Sequence, residues 1–217
     1  MIIVVNENQA PRPRGRPRAF DRDEVLALAA NTFWQLGYEG ASIADLTKAM
    51  GITPQSLYAA FTSKADLYRE ALTRYQTRVD AGSGIARALE EERTVAAAFD
   101  RALRESAREY SRPDQPRGCM LSTAVLTCAI ENGDVAAYVA ALRADVLAAF
   151  KARIRRGMKE GDIKPDTDAA GLARYLQSVF QGMSLQARDG ATKADLTAIA
   201  AIASAEVTRH SVPSRRR

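Results

Sequence analysis

Gln55 carries the side chain of this 217-residue chain best suited to reading another molecule. Its primary amide can pair in a bidentate way with adenine. Around it stand Thr53, Pro54, Ser56 and Ala59, small enough to let a partner approach and able to contact thymine methyls or backbone. Tyr58 can donate its phenol to a phosphate while its ring packs. Ser42 and Thr53 offer hydroxyls and the N–H groups of helix starts to phosphates. Lys64 stands at the start of a helix, where the dipole disfavours a cation, so an anion is expected opposite it. Upstream, Arg12, Arg14, Arg16 and Arg18 alternate with proline and glycine. Arginines of that kind suit a narrow minor groove, or else attract a polyanion without register. The shared target of this chemistry is double-stranded DNA. Each residue also has an ordinary role: Ser42, Thr53 and Ser63 cap helices, and Phe33, Trp34, Leu57 and Phe61 belong to a core.

Short helices must position these groups. Asp21 is an N-cap, followed by Val25, Leu28, Ala29, Thr32, Phe33 and Leu36 at helical spacing, with a stop at Gly37. Ser42 with Asp45 forms a capping box for a second helix that ends at Gly51. Thr53 caps a third, with Pro54 at its first position. Ser63 caps a fourth, carried by Leu67, Tyr68, Ala71, Leu72 and Tyr75 until AGSG at 81–84. Two short helices joined by a glycine turn are a helix-turn-helix, whose second helix enters the major groove by its N-terminal end. Further helices are expected over about 94–110, 119–131, 134–160, 168–188 and 192–208. The 119–131 stretch is almost wholly apolar or small, so it is expected to be central.

Bulk composition agrees. Alanine is abundant, aromatic residues are only 6%, and no long alternating pattern occurs, so the fold class is all-α. The two ends carry four arginines each and no acid, over residues 8–20 and 209–217. Subtracting them from the net charge of +5 leaves a mildly acidic body. Basic ends of this kind meet polyanions. No apolar run approaches the roughly 20 residues that span a bilayer, and no signal peptide is visible, which points to a soluble, cytoplasmic protein without a membrane partner. No nucleophile–base pair, phosphate loop or metal cluster supports an enzyme. The one histidine, His210, leaves a zinc site without parts, and no metal or cofactor is implied.

At this point residues 15–72 resemble the N-terminal domain of the TetR family of bacterial transcription regulators. The resemblance rests on the leading GRPR, Phe33, Gly37-Tyr38, Ser42-Ile43, Met50-Gly51-Ile52, Ser56-Leu57-Tyr58, Phe61 and Lys64-Leu67. It implies that Thr53 to Ser56, Tyr58, Ala59 and Lys64 contact DNA. Ala59-Ala60 replaces the larger groups of many relatives, which shifts weight onto Arg14, Arg16, Arg18 and DNA shape. It also implies a homodimer, operator DNA and an unknown small-molecule effector as partners. The implied layout is an arm at 1–18, a DNA-binding domain at 19–65, a ligand-binding and dimerisation domain at 66–208, and a tail at 209–217.

Dimerisation through the last two helices would use Leu172, Tyr175, Leu176, Val179, Phe180 and Met183 with Leu196, Ile199, Ile202 and Ala203, an intramolecular core being the alternative. PRGCMLSTA at 116–124 is similar to a segment of one subgroup, whose helix would line the ligand cavity. The expected wall is Phe99, Leu103, Met120, Thr123, Leu126, Tyr138, Phe150 and Gln181. Cys119 and Cys128 are nine residues apart, about 180° on a helix, which hinders a shared ligand. Redox or metal sensing through them, and sequence-independent DNA binding, are the alternatives to a ligand-released repressor.

Overall fold

The computed structural model describes residues 20–124 and 128–213, and the helices are α1 (Arg22–Gly40), α2 (Ile43–Met50), α3 (Pro54–Ala60), α4 (Lys64–Ser83), α5 (Ile85–Glu91), α6 (Val95–Tyr110), α7 (Gly133–Glu160), α8 (Ala169–Arg188) and α9 (Lys193–Arg209). A single 3₁₀ turn, Ile130–Asn132, precedes α7. The caps follow the sequence pattern. Asp21 accepts from the N–H groups of Asp23 and Glu24, and Ser42 and Asp45 cap each other reciprocally. Thr53 and Ser63 accept from Ser56 and Asp66. Each such cap contributes about 1 kcal/mol.

Two hydrophobic cores result. The first joins α1 to α4 through Phe33, Leu46, Leu57, Phe61, Leu67, Tyr68 and Leu72, all essentially buried. Tyr68 is its hub, with Phe33 edge-on at 4.9 Å and Tyr38 at 5.1 Å. The core also takes in Met120, Leu121, Ala124, Val135 and Val139. Packing therefore runs across the boundary expected at residue 65, and α4 belongs to both parts of the molecule. The second core lies between α5, α6, α7, α8 and α9, around Phe99, Phe150 and Phe180. Phe150 meets Phe99 edge-on at 5.2 Å and Phe180 at 5.4 Å.

Two elements differ from the sequence reading. α5 was not expected, because AGSG reads as a plain stop. It has no side-chain cap at its start. Its C-terminal carbonyls are held from α7 instead: Arg156 donates to Leu89 (3.1 Å) and Arg153 to Glu92 (3.0 Å). Cations at a helix C-terminus also suit its dipole.

The helix expected over 119–131 is absent. Residues 119–124 form turns, Ile130 is 98% exposed, and 125–127, with Leu126, lie outside the described residues. Backbone groups here find partners elsewhere, which removes the need for a helical ladder. The Cys119 N–H donates to Ser184 Oγ at 2.7 Å, and Arg143 donates to the carbonyls of Leu121 and Ala124 at 3.3 and 2.8 Å. Gly118 makes this docking possible. Its φ of +80° is left-handed, and a Cβ there would lie 2.6 Å from the Ser184 carbonyl oxygen. Cys119 and Cys128 are thus loop residues, both with free thiols, and a helical angle between them has no meaning.

The chain end is also anchored. Lys164 N–H donates to the His210 carbonyl (2.9 Å), and Val212 N–H to that of Asp162 (2.9 Å). The tail expected at 209–217 therefore begins as packed structure, and Arg215 to Arg217 lie outside the described residues. Among the described residues, no helix is long and apolar enough to cross a membrane.

These two glycines separate strain from clash. Gly51 ends α2 at φ 66 with nothing near a prospective Cβ. Gly51→Ala is expected to cost about 1 kcal/mol from backbone strain alone. Gly118→Ala adds overpacking and is expected to cost about 2–4 kcal/mol. Urea denaturation of both variants checks this; equal losses would contradict the docking of residues 118–119 on α8.

Candidate nucleic-acid interface and internal cavity

α3 is a seven-residue helix that buries only Leu57, with Phe61 following at its cap. Anchoring by those two side chains turns the opposite face outward. Thr53, Pro54, Gln55, Tyr58 and Ala59 are exposed, and Ser56 is half-buried. Tyr58 is 50% exposed, so Leu57 wins the inward direction and the phenol is available. Arg22 braces the C-terminal end of the helix, its guanidinium 4.4 Å above the Phe61 ring. Thr53 Oγ1 accepts the Ser56 N–H (3.1 Å) and lies 3.0 Å from Ser56 Oγ, which holds the N-terminal turn rigid.

Ser42 contributes less than its hydroxyl suggested. That hydroxyl donates to Asp45 Oδ2 at 2.6 Å, and these bonds lower the Asp45 pKa. The N–H groups of the first turn are what it leaves for a phosphate. Lys64 is half-buried, its ammonium 4.5 Å over the Tyr38 ring. Burial lowers its pKa and the Glu39 carboxylate opposes the shift. The ammonium is thus held in place at the start of α4, between the Tyr38 ring and the field of Glu39. Arg14, Arg16 and Arg18 lie outside the described residues.

The reading module is bolted to the rest of the chain. α1 breaks at Gly37 (φ 75, ψ 173), and carbonyls at the end of a helix lack intrahelical donors. Arg188, the last residue of α8, supplies them, donating to the carbonyls of Trp34 (2.8 Å) and Gln35 (3.1 Å). Glu39 accepts from the Ala129 N–H and from Asn132, both at 2.9 Å, which lowers its pKa. Arg69 of α4 pairs with Asp134 at the start of α7.

Between the two cores lies a cavity of about 440 Å³, walled by α4, α5, α6, α7, α8 and by Cys119, Leu121 and Ser122. Volumes of this order suit small organic molecules. Of the expected wall, Phe150 and Gln181 line it. Phe99, Leu103 and Met120 do not; they pack within the cores on either side. Thr123 turns its hydroxyl back to the Cys119 carbonyl, and Tyr138 packs on the first core beneath Arg69. The sequence reading missed Tyr75 and Val79 of α4, Tyr110 of α6, Arg143 of α7 and Gln177 of α8. Arg143 had a legible signal: it shares the apolar stripe of Val139, Val146 and Phe150. Burial and the adjacent Cys119 thiol push the Tyr75 and Tyr110 phenols well above their ordinary pKa, so both are neutral donors.

The outer face of α8 and α9 is less extensive than expected. Leu172, Leu176, Phe180, Met183, Leu196 and Ala203 are buried inside their own chain, because α6 and α7 already cover that side. Val179 and Ile199 are half-buried against the same core. Tyr175, Leu185 and Ile202 are exposed, Ile202 by 71%.

Comparison with known proteins gives this arrangement a context. The family profile for bacterial regulatory proteins, tetR family, matches residues 25–71, and that for the Tetracyclin repressor-like C-terminal domain matches 97–205. The HTH-type transcriptional repressor ComR of Escherichia coli (strain K12) is 36% identical over 87% of this chain and 90% of its own. The chain belongs to the TetR family. It is a DNA-binding transcriptional regulator. The repressor BdcR of the same organism is 30% identical, covering 92% of this chain and 95% of that protein. A cysteine mutant of the TetR family regulator CifR, complexed with 26bp double-strand operator DNA, is 39% identical with a TM-score of 0.83, over 88% of this chain and 98% of that one.

For this TetR-family module, Lys64→Ala and Tyr58→Phe are expected to weaken binding to all duplexes alike. Lys64→Ala should also reduce the salt slope by about 1. Gln55→Ala should relax preference at one base pair, a loss of about 1–3 kcal/mol of discrimination. Fluorescence anisotropy against cognate and scrambled duplexes measures all three; unchanged affinity and preference would remove α3 from the interface.

Proposed function

We propose that the protein is a homodimeric repressor that leaves its operator when a small molecule fills the cavity. One observation carries this reading: α4 walls the cavity with Tyr75 and Val79, and the same helix packs Leu67, Tyr68 and Leu72 into the core that holds α3. A ligand that displaces the C-terminal half of α4 shifts the N-terminal half, and with it the spacing of two reading helices. ComR and BdcR, named as repressors, support the sign of the effect. The setting is the cytoplasm, where the operator is, and no catalytic step is needed.

A two-fold operator demands a dimer. Tyr175 and Leu185 of α8 with Ile202 of α9 are the exposed apolar residues suited to it, flanked by Val179, Ile199 and the small Gly182. The Thr53–Lys64 set and the arm arginines Arg14, Arg16 and Arg18 form the proposed DNA contacts.

The test is selection of bound duplexes from a random pool, then a chemical screen for release. Recovered sequences with two-fold symmetry, and compounds that release them while binding DNA-free protein, are expected. Sequence-independent recovery would contradict the reading. Leu185→Glu with Ile202→Glu should produce a monomer by sedimentation, with operator affinity down by about tenfold or more. Arg188→Ala should leave compound binding intact while reducing release, because α8 no longer holds α1; unaltered release would show that this contact transmits nothing.

A further inference from the structure

Arg143 lies in the middle of α7 and lines the cavity. Its Nη1 is spent on the carbonyls of Leu121 and Ala124. Among the described residues, Nε and Nη2 donate to nothing, and no carboxylate lies within ion-pair distance. Those two groups form the edge of a guanidinium that matches the two oxygens of a carboxylate. Burial lowers the Arg143 pKa, opposed by the nearby Tyr68 and Cys119. The neighbouring arginines are differently placed. Arg78 and Arg112 share Glu109, at 3.5 and 3.3 Å, and Arg101 holds Glu105 at 3.0 Å. Asp145 is on the exposed side of α7 at the rim of the cavity.

A second group is unspent. Glu105, which lines the cavity, bonds through Oε1, while its Oε2 is buried and has no partner. A buried acceptor without a donor is costly, and a ligand hydroxyl or amine would supply the missing bond. The same cavity is lined by Tyr75, Tyr110, Phe150 and Phe180, an aromatic share of its wall.

We infer that the cavity takes a small organic acid, its carboxylate forked on Arg143, its apolar body between the aromatic walls and a hydroxyl or amine near Glu105. The inference rests on the proposed effector site and names the class of molecule that fills it. Gln177 donates to the Arg143 carbonyl at 2.7 Å, so α8 braces the same turn of α7 that the acid would engage.

The experiment is titration calorimetry on the full, DNA-free chain. The probes are phenylalkanoates, hydroxyphenylalkanoates and straight-chain alkanoates, each beside its primary amide. At least one acid is expected to bind once per chain, with its amide about 30-fold weaker. Arg143→Gln, which keeps a donor for the Leu121 and Ala124 carbonyls, should erase the difference; its melting temperature reports folding. Glu105→Gln should weaken the hydroxylated acids and spare the plain ones. Amides binding wild type as tightly as acids, or no acid binding at millimolar concentration, overturns the inference without use of any variant. A gel shift separates the two claims. Acids that bind but leave the operator complex intact keep the ligand class and refute the release mechanism. Neutral compounds that release DNA where acids fail to bind do the reverse.

Discussion

A helix packed into a core along its first half and walling a cavity with its second cannot shift at one end alone. α4 has 20 residues, roughly 30 Å of rigid rod. Its first half sits among Phe33, Phe61 and Leu57, where Leu67 and Leu72 are wholly buried. Its second half presents Tyr75 and Val79 to the cavity. Ion pairs from Arg22 to Glu70 and from Arg74 to Asp23 lock it to α1 on the outside. Everything functional in the chain hangs on this member. The reading helix is fixed to one end, and the space for a ligand is closed by the other.

The remaining contacts decide how a movement is distributed. Arg188 grips the broken end of α1, while Gly118 and Cys119 dock on Ser184 one turn earlier in α8. α8 therefore touches the DNA-binding module, the irregular segment and the cavity at once. Packed interiors respond to such loads by switching between arrangements rather than by stretching. The Nε–Nη2 edge of Arg143 and the Glu105 Oε2 are without partners among the described residues, which gives a bound molecule something to stabilise.

Legibility in the sequence followed local physics. Caps at Asp21, Ser42, Thr53 and Ser63, the turn at Gly51 and the outward face of α3 depend on neighbours within a few residues, and the pattern displayed them. α5 did not show because its stability comes from Arg153 and Arg156, more than sixty residues away. The 119–131 stretch looked helical by composition, but the backbone groups of Cys119, Leu121 and Ala124 bond to Ser184 and Arg143 from other helices. The cavity wall failed for a related reason. Phe99 and Leu103 fit a core and a pocket equally well by type, and which one they line depends on where α6 meets α7. A charge in an apolar stripe, as at Arg143, is the better guide, and the sequence reading passed over it.

The central claim is that α3 reads DNA as one of a two-fold pair. Hydroxyl-radical footprinting on a duplex selected by the full chain tests it most directly. The account predicts two protected patches related by two-fold symmetry, with half-site centres about one helical turn or a multiple apart, and in Gln55→Ala the same pattern with preference relaxed at one base pair of each half-site. A single patch, or continuous protection on any sequence, would contradict it.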